Sequence, residues 1–215
     1  MAETWFEYGE KEILYLKSKD KKLAAVIDRL GFIRRETDSD LFASVVHKIV
    51  GQQISMKAQE TLWRRMNDGL GIINADTLLE AGREKVKSFG MAYRKADYIL
   101  DFAAKVKSGE FDIEAVATMD DREAIETLTA LKGIGVWTAE MLLLFCLRRP
   151  DILSFGDLGI VRGLRMLYRH KTVDKKRFER YRKRFSPYGS TASLYLWAVS
   201  GGAIPELTDP AECKK

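Results

Sequence analysis

The sequence predicts an all-α protein whose helices are arranged in two lobes. Three observations favour this fold class: the 215 residues include only four prolines, segments that alternate β-branched and polar residues are scarce, and apolar residues recur at helical spacing. Hydrophobic residues make up 46% of the chain and charged residues 31%, as in ordinary globular proteins. A chain of this length can bury a core in each of two small lobes.

Capping residues and a glycine stop divide the chain into about ten predicted helices, with no strand. Side chains that accept hydrogen bonds from the first N–H groups mark the helix starts, and glycine marks an end. The expected caps are Asp20, Asp38 or Ser39, Ser55, and Asp120 or Asp121, and the expected stop is Gly31. The helices are predicted over residues 20–30, 39–51, 55–70, 77–81, 84–88, 93–107, 121–130, 136–147, 158–168, 175–185 and 191–200.

We expect a central lobe of residues 38–138 and a second lobe in which residues 1–37 join residues 139–215. The sequence has no run of 18 uncharged apolar residues and no signal-peptide pattern, so no membrane partner is expected. Its only cysteines are Cys146 and Cys213, and with two histidines they cannot build a four-cysteine cluster. This content fits a reducing, cytoplasmic setting, with association to the nucleoid in a prokaryote.

Positive charge is concentrated in one part of the chain. The formal net charge is only +5, but the stretch from Arg162 to Arg184 has 11 Lys or Arg residues against Asp174 and Glu179. The remainder of the chain is therefore net negative. Such a local excess is typical of a surface that faces a polyanion, although a solvated helix face gives the same pattern.

Residues 131–139, Leu-Lys-Gly-Ile-Gly-Val-Trp-Thr-Ala, predict a helix-hairpin-helix. Gly133 and Gly135 flank Ile134 between two apolar helical stretches and permit positive φ and the close approach of another backbone. The first N–H groups of the second helix lack intrahelical partners and, with the helix dipole, favour a phosphate. An ordinary corner between two helices is the alternative for a Gly-x-Gly alone.

A lone carboxylate follows the hairpin by about twenty residues. Asp157 lies in the segment Ser-Phe-Gly-Asp-Leu-Gly at the predicted start of a helix, where the dipole favours an ionised side chain. A plain helix cap is the common role for Asp at such a position. Directly after a DNA anchor, however, one positioned carboxylate indicates chemistry on DNA. Arg162 and Arg165, one turn apart on the same helix, are expected to contact phosphates or to cover apolar surface with their stems.

Four motifs, taken together and in this order, resemble the helix-hairpin-helix DNA glycosylase superfamily, and within it the alkylated-base branch of 3-methyladenine DNA glycosylase II. They are residues 50–55 (Val-Gly-Gln-Gln-Ile-Ser), 131–139, 155–158 (Phe-Gly-Asp-Leu) and 195–197 (Tyr-Leu-Trp). The resemblance runs from about Leu23 to Gly201. It implies two helical lobes around a DNA-binding cleft, in a compact form without the N-terminal sheet domain of some members.

The resemblance also implies roles for individual residues. It makes Asp157 the catalytic aspartate and Trp197 the aromatic that stacks on the extruded base, which can carry positive charge when alkylated. The other implied roles are base-pocket walls (Trp137, Met141), a wedge that fills the gap left by the base (Gln53, Ile54), backbone binding (Leu131, Gly133, Gly135, Val136, Thr138) and a Na⁺ or K⁺ held by the carbonyls of Leu131 and Gly133. Where relatives often have a leucine wedge, this chain has Gln53.

One position within the hairpin bears on the reaction type. Bifunctional relatives have a lysine nucleophile two residues after the second glycine, where this chain has Trp137. We therefore expect a monofunctional glycosylase that uses water, makes no strand break, and needs neither a cofactor nor an iron–sulfur cluster. Its expected partner is double-stranded DNA with damaged bases, bound by a monomer. Two alternatives stay open: a non-enzymatic helix-hairpin-helix DNA-binding module, and a glycosylase for oxidised, deaminated or mismatched bases.

Overall fold

The computed structural model describes residues 4–212, which are mainly helical. Within that range lie twelve α-helices and two strands of two residues each. The strands pair antiparallel, with Thr4 opposite Thr37 and Trp5 opposite Glu36. The all-α prediction is confirmed, and the short strand pair is an addition that the sequence did not predict.

The described chain divides into two units. The first, here the terminal unit, consists of residues 4–37 and 148–212, and the second, the central unit, is Asp38–Leu147. The terminal unit contains β1 (Thr4–Trp5), α1 (Glu10–Lys19), α2 (Lys21–Leu30), β2 (Glu36–Thr37), α10 (Leu158–Tyr168), α11 (Lys175–Phe185) and α12 (Gly189–Ser200). The central unit contains α3 (Leu41–Gly51), α4 (Met56–Leu70), α5 (Ala75–Ser88), α6 (Tyr93–Ser108), α7 (Ile113–Val116), α8 (Asp121–Thr129) and α9 (Val136–Phe145).

The boundary between the units differs from the sequence-based one at its second crossing. The sequence places that crossing at residue 138, inside α9, whereas the structure places it after Leu147. The reason is that α9 packs against α3 and α8, so the whole helix belongs to the central unit.

The core of the terminal unit is built mainly where α10 and α12 pack together. Gly163 permits this approach, because a Cβ at that position would collide with the carbonyl of Leu196 on α12. Large side chains from four helices fill the surrounding space: Leu16, Leu23, Phe178, Phe185 and Tyr195, each no more than 1% exposed. This packing sets α12 directly against the helix that Asp157 begins.

Most predicted caps are observed. Asp20 caps α2, which ends at Gly31; Ser55 caps α4; and Asp120 caps α8. The expected cap at Asp38 or Ser39 is wrong, because the Asp40 carboxylate accepts the hydrogen bond from Ala43 N at 2.9 Å.

The sequence missed or divided three elements. It missed α1, whose first turn is preceded by Gly9, a residue with no side chain to act as a cap. It also missed the four-residue α7. The two short helices predicted over 77–81 and 84–88 form one element, α5, interrupted at Gly82 with φ of 71°.

No helix within residues 4–212 combines the length and the apolar character that crossing a membrane requires. Cys146 is buried, at 6% exposure, and Cys213 lies outside the described residues.

Candidate nucleic-acid interface and active site

The hairpin connects α8 to α9 by a tight turn. Ile134 N donates to Leu131 O at 3.1 Å, and the side chains of both residues are buried. Gly133 has φ of +86°, in the left-handed region, where a residue with a Cβ is strained. Gly135 has ordinary extended angles (φ −96°, ψ 171°) and forms the N-cap of α9 without a side-chain cap. The predicted helix-hairpin-helix is therefore present.

The two glycines serve different purposes. A Cβ on Gly133 would lie 2.6 Å from Cδ2 of Tyr98, so this glycine lets the turn pack against α6. A Cβ on Gly135 would meet no protein atom within 4 Å. Its small size is therefore not required by internal packing, and it leaves the start of α9 open to an approaching molecule. Val136 and Trp137 next to it are 57% and 47% exposed.

Two side-chain contacts hold the hairpin on the central unit. Lys132 Nζ lies 2.6 Å from Asp101 Oδ1 on α6, and the hydrogen bond to Asp101 raises the pKa of the lysine. Gln52, from the loop between α3 and α4, donates its Nε2 to Gly133 O at 2.5 Å. These contacts join the hairpin to α6 and to the loop between α3 and α4.

The predicted ligands of a monovalent cation are the carbonyls of Leu131 and Gly133. Leu131 O already accepts from Ile134 N, and Gly133 O already accepts from Gln52, so each would bind the ion through its second lone pair. Both oxygens are neutral. Within residues 4–212 no cluster of three or more His, Cys, Asp or Glu side chains forms a metal site.

The loop of residues 52–55 presents the predicted wedge at the surface. Gln53 has φ of +56°, which is rare for a residue with a side chain, and it is exposed. Ile54 is 37% exposed, and Met56, the first residue of α4, is 80% exposed. Sequence reasoning missed Met56, although an apolar residue directly after the Ser55 cap was a usable signal.

Partly buried hydrogen bonds from lysine and glutamine side chains support the chain next to the loop of residues 52–55. Lys95 Nζ donates to Val50 O at 2.7 Å near the end of α3, and burial lowers the pKa of this lysine. Gln59 Nε2 donates to His47 O at 3.0 Å. His47 packs against Trp63, with ring centroids 4.7 Å apart, and burial lowers its pKa, as suits a boundary histidine.

In the terminal unit, Asp157 and Trp197 form one hydrogen-bonded pair. Asp157 is the N-cap of α10 and is 7% exposed. Its Oδ1 accepts from Ile160 N at 2.9 Å and from Trp197 Nε1 at 2.9 Å. Two N–H donors from different helices therefore fix the orientation of this carboxylate, and a charged acceptor makes such bonds comparatively strong.

Gly159 makes room for this pair in the first turn of α10. A Cβ there would lie 2.8 Å from Trp197 Cδ1 and 3.1 Å from Asp157 Oδ1. The indole consequently lies directly against the helix start. Two exposed apolar residues lie near Asp157, Phe155 at 41% exposure in the preceding loop and Leu158 at 86% as the first residue of α10, and neither was selected as a site residue from the sequence. Their positions next to Asp157, within the motif of residues 155–158, could have selected them.

Arg162 and Arg165 contact carboxylates of the C-terminal segment. Arg165 forms a two-pronged ion pair with Asp209, which is 4% exposed, and this pairing lowers the pKa of the aspartate. Arg162 Nε lies 3.5 Å from Asp209 Oδ2, and its Nη2 lies 3.0 Å from Glu212 Oε2. The structure thus gives both arginines a role in holding residues 209–212 on α10, and their contacts with phosphates stay a prediction.

The remaining predicted site residues lie on α9. Trp137 is 47% exposed and Thr138 is partly buried, whereas Met141, one turn further on, is buried at 3% exposure. All three belong to the central unit, and Asp157 and Trp197 belong to the terminal unit.

The chain is similar to proteins of a known family. The family profile described as HhH-GPD superfamily base excision DNA repair protein matches residues 46–187. The chain is 28% identical over 201 residues to DNA-3-methyladenine glycosylase 1 of Schizosaccharomyces pombe, covering 91% of this chain and 87% of the relative. It covers 57% to 61% of the length of three longer curated relatives.

Solved structures agree with the sequence comparison. The DNA-3-methyladenine glycosidase of Bacillus halodurans superposes with a TM-score of 0.80 at 33% identity, covering 96% of this chain and 95% of that one. The 3-methyladenine DNA glycosylase of Schizosaccharomyces pombe, solved in complex with abasic DNA, gives a TM-score of 0.77 at 26% identity, covering 92% and 99%.

Proposed function

Because the chain belongs to the HhH-GPD superfamily of base excision DNA repair proteins, we propose that it is a monofunctional DNA glycosylase for alkylated bases. In this proposal it extrudes a base of the 3-methyladenine or 7-methylguanine type from duplex DNA and hydrolyses the N-glycosidic bond. The names of its relatives support this substrate class. We propose that it acts as a monomer in the cytoplasm, on nucleoid DNA in a prokaryote, without a required cofactor or iron–sulfur cluster.

The hydrogen bond between Trp197 and Asp157 is the observation that carries the proposal. An extruded alkylated purine carries positive charge, and the face of an indole binds such a cation by stacking and cation–π attraction. As the glycosidic bond breaks, positive charge develops on the sugar. A fixed carboxylate stabilises that charge and orients or deprotonates the attacking water. In this proposal the hydrogen bond joins the aromatic side chain that binds the base to the carboxylate that stabilises the charged sugar.

The central unit supplies the proposed grip on DNA. The open start of α9 after Gly135 suits a phosphate, which backbone N–H groups and the helix dipole would hold. A Na⁺ or K⁺ bound by Leu131 O and Gly133 O would supply positive charge to the same phosphate. Gln53 and Ile54, exposed next to Gln52, are proposed to fill the gap that the extruded base leaves. The base-contact roles of Trp137 and Met141 stay predictions.

The proposed absence of strand cleavage depends on Trp137. An indole cannot form the Schiff base that a lysine at this hairpin position would form, so water is left as the nucleophile. Incubation of the protein with an abasic duplex tests this directly. We expect no strand break without added alkali and no covalent adduct with borohydride, and either product would contradict a monofunctional reaction.

The decisive experiment is release of free bases from methylated, deaminated and oxidised duplexes. We expect 3-methyladenine or 7-methylguanine from methylated DNA, and release of only another base would refute the alkylated-base assignment. Asp157→Asn should lower the rate by about 10²–10³-fold while duplex affinity is kept. Asp40→Asn is the matched control, since Asp40 makes the same helix-cap bond in α3. Equal rates for both variants would refute the catalytic role of Asp157, and no base release by the wild type would favour a non-enzymatic DNA-binding module.

A further inference from the structure

Helix α11 has a basic outer face that the proposed chemistry at Asp157 does not use. Its apolar residues, Phe178, Tyr181 and Phe185, are all buried. Every exposed or half-exposed residue of the helix is charged, and Glu179 is the only acidic one. The helix therefore faces solvent with a surface that is almost entirely positive.

Three residues form the centre of this outer face. Lys176, Arg180 and Lys183 follow at intervals of four and three residues, so they share one side of the helix, opposite the buried aromatic residues. All three are exposed, and none forms an ion pair with a carboxylate of residues 4–212. Other basic residues of α11 do have partners, since Arg184 pairs with Asp20 and Arg182 lies 3.9 Å from Glu179.

The positive surface continues onto the turn between α1 and α2. The pair of Arg184 and Asp20 joins α11 to this turn, which carries exposed Lys19, Lys21 and Lys22. His170 lies where the two elements meet, bonded through Nε2 to the Tyr181 hydroxyl at 2.8 Å.

The environment of His170 reflects the same concentration of charge. Its pKa is lowered first by burial and then by the positive charges of Arg177 and Lys22, which come from the two sides of the surface. Positive charge from α11 and from α2 therefore acts on the same region.

The loop that carries Asp157 packs on the inner side of α11. Phe155, two residues before Asp157, packs on Phe178 of α11 with ring centroids 5.1 Å apart. The outer face of α11 is thus the opposite side of the element that supports the catalytic loop.

We infer that Lys176, Arg180 and Lys183, extended by the turn at Lys19–Lys22, form a second DNA-backbone surface that captures duplex DNA without regard to sequence or damage. The inference rests on the proposed function, because it assigns a binding surface to the duplex on either side of the damaged base in the proposed substrate. From Lys176 to Lys183 the helix rises about 10 Å, a length over which duplex DNA carries about six phosphates. A membrane-surface helix would also need exposed apolar residues, and the outer face has none.

The test is the salt dependence of binding to an undamaged duplex. The triple variant Lys176→Gln, Arg180→Gln, Lys183→Gln should reduce the slope of log affinity against log salt by about 3, since each lost phosphate contact removes about 0.9. The ratio of wild-type to variant affinity should therefore grow about 40-fold when salt is lowered from 200 mM to 50 mM. The matched control is Lys85→Gln, Lys107→Gln, Arg122→Gln, which removes the same charge from exposed sites of the central unit.

Three further measurements make the outcomes distinct. Base release at saturating enzyme should be unchanged in the triple variant, because the chemistry at Asp157 is intact. Each single variant should lower the slope by about one, which keeps the inference testable if the triple variant folds poorly. A salt slope equal to that of the control triple would overturn the inference. It would also be overturned if the triple variant lost binding to phosphatidylserine vesicles but kept the duplex affinity of the wild type.

The two proposals can fail separately. If the wild type releases no base but the triple variant still loses duplex affinity, the surface stands and the proposed chemistry is wrong. If base release is normal and the slope is unaffected, the chemistry stands and the surface is wrong.

Discussion

The substitution Gly159→Ala tests whether the pairing of Trp197 with Asp157 matters for base release. The new methyl carbon would lie 2.8 Å from Trp197 Cδ1 and 3.3 Å from its Nε1. Carbon atoms in contact normally stand about 3.5–4.0 Å apart, so the indole would have to retreat by roughly 0.7 Å or more. Alanine is otherwise favoured over glycine in a helix by about 1 kcal/mol, so the fold should persist.

The retreat of the indole determines the expected effect on the rate. The Nε1–Oδ1 distance of 2.9 Å would lengthen to about 3.6 Å, beyond hydrogen-bond range. A hydrogen bond to a charged group contributes about 1.5–3 kcal/mol, and losing it leaves Asp157 oriented by Ile160 N as its other identified donor. We expect base release under single-turnover conditions to fall about 10- to 100-fold.

The assay is release of free methylated base at saturating enzyme, with duplex affinity and thermal unfolding measured in parallel. Gly201→Ala is the control, because it adds the same methyl group at the end of α12 without touching either side chain of the pair. A wild-type rate in Gly159→Ala with an unaltered fold would refute the view that Trp197 positions the carboxylate. An equal loss in both variants would attribute the effect to α12 and not to the pair.

Three further predictions concern the hairpin and the C-terminal segment. Gly133→Ala should destabilise the fold by about 2 kcal/mol in chemical denaturation, because φ is +86° and the methyl carbon would lie 2.6 Å from Tyr98; unchanged stability would contradict this packing. Gly135→Ala should cost no more than about 1 kcal/mol, the difference between glycine and alanine at an N-cap, because its methyl group meets no internal contact. It should weaken duplex binding, because the methyl group occupies space where a phosphate is proposed to approach; unchanged affinity would argue against a phosphate there. Asp209→Asn should cost about 2 kcal/mol at neutral pH, since it breaks a buried ion pair with the partly solvated Arg165. Because the folded-state pKa of Asp209 is lowered, its contribution to the free energy of unfolding is complete above the ordinary carboxyl pKa and is lost as pH falls through the folded-state pKa. The plots of unfolding free energy against pH for the wild type and the variant should therefore converge between about pH 5 and pH 2.

The features that could be predicted from the sequence are those set by local chemistry. The bounds of α10 and α11 and the caps at Asp20, Ser55 and Asp120 depend on a few consecutive residues, so one sequence suffices for them. The helices that the sequence missed lack such local signals. Helix α1 begins after Gly9, where no local side chain marks a start, and α7 is too short for a periodic pattern.

Within the candidate site, the sequence identified residues but not their contacts. Asp157 and Trp197 are 40 residues apart, and no periodicity connects them. Gln52 and Gly133 are 81 residues apart, so their bond depends on the packing of the whole central unit. The same limit explains Arg162 and Arg165, whose acidic partners lie 44 or more residues later, in a segment that the sequence left without a role.

The division of the chain has a consequence for the order in which the protein forms. The two ends of the central unit meet, with Asp38 N donating to Phe145 O at 2.9 Å. During synthesis this unit can close as soon as Leu147 has left the ribosome, whereas α1 and α2 must wait for α10, α11 and α12. The hairpin proposed to bind DNA can therefore be complete while the helix that Asp157 begins is still being made.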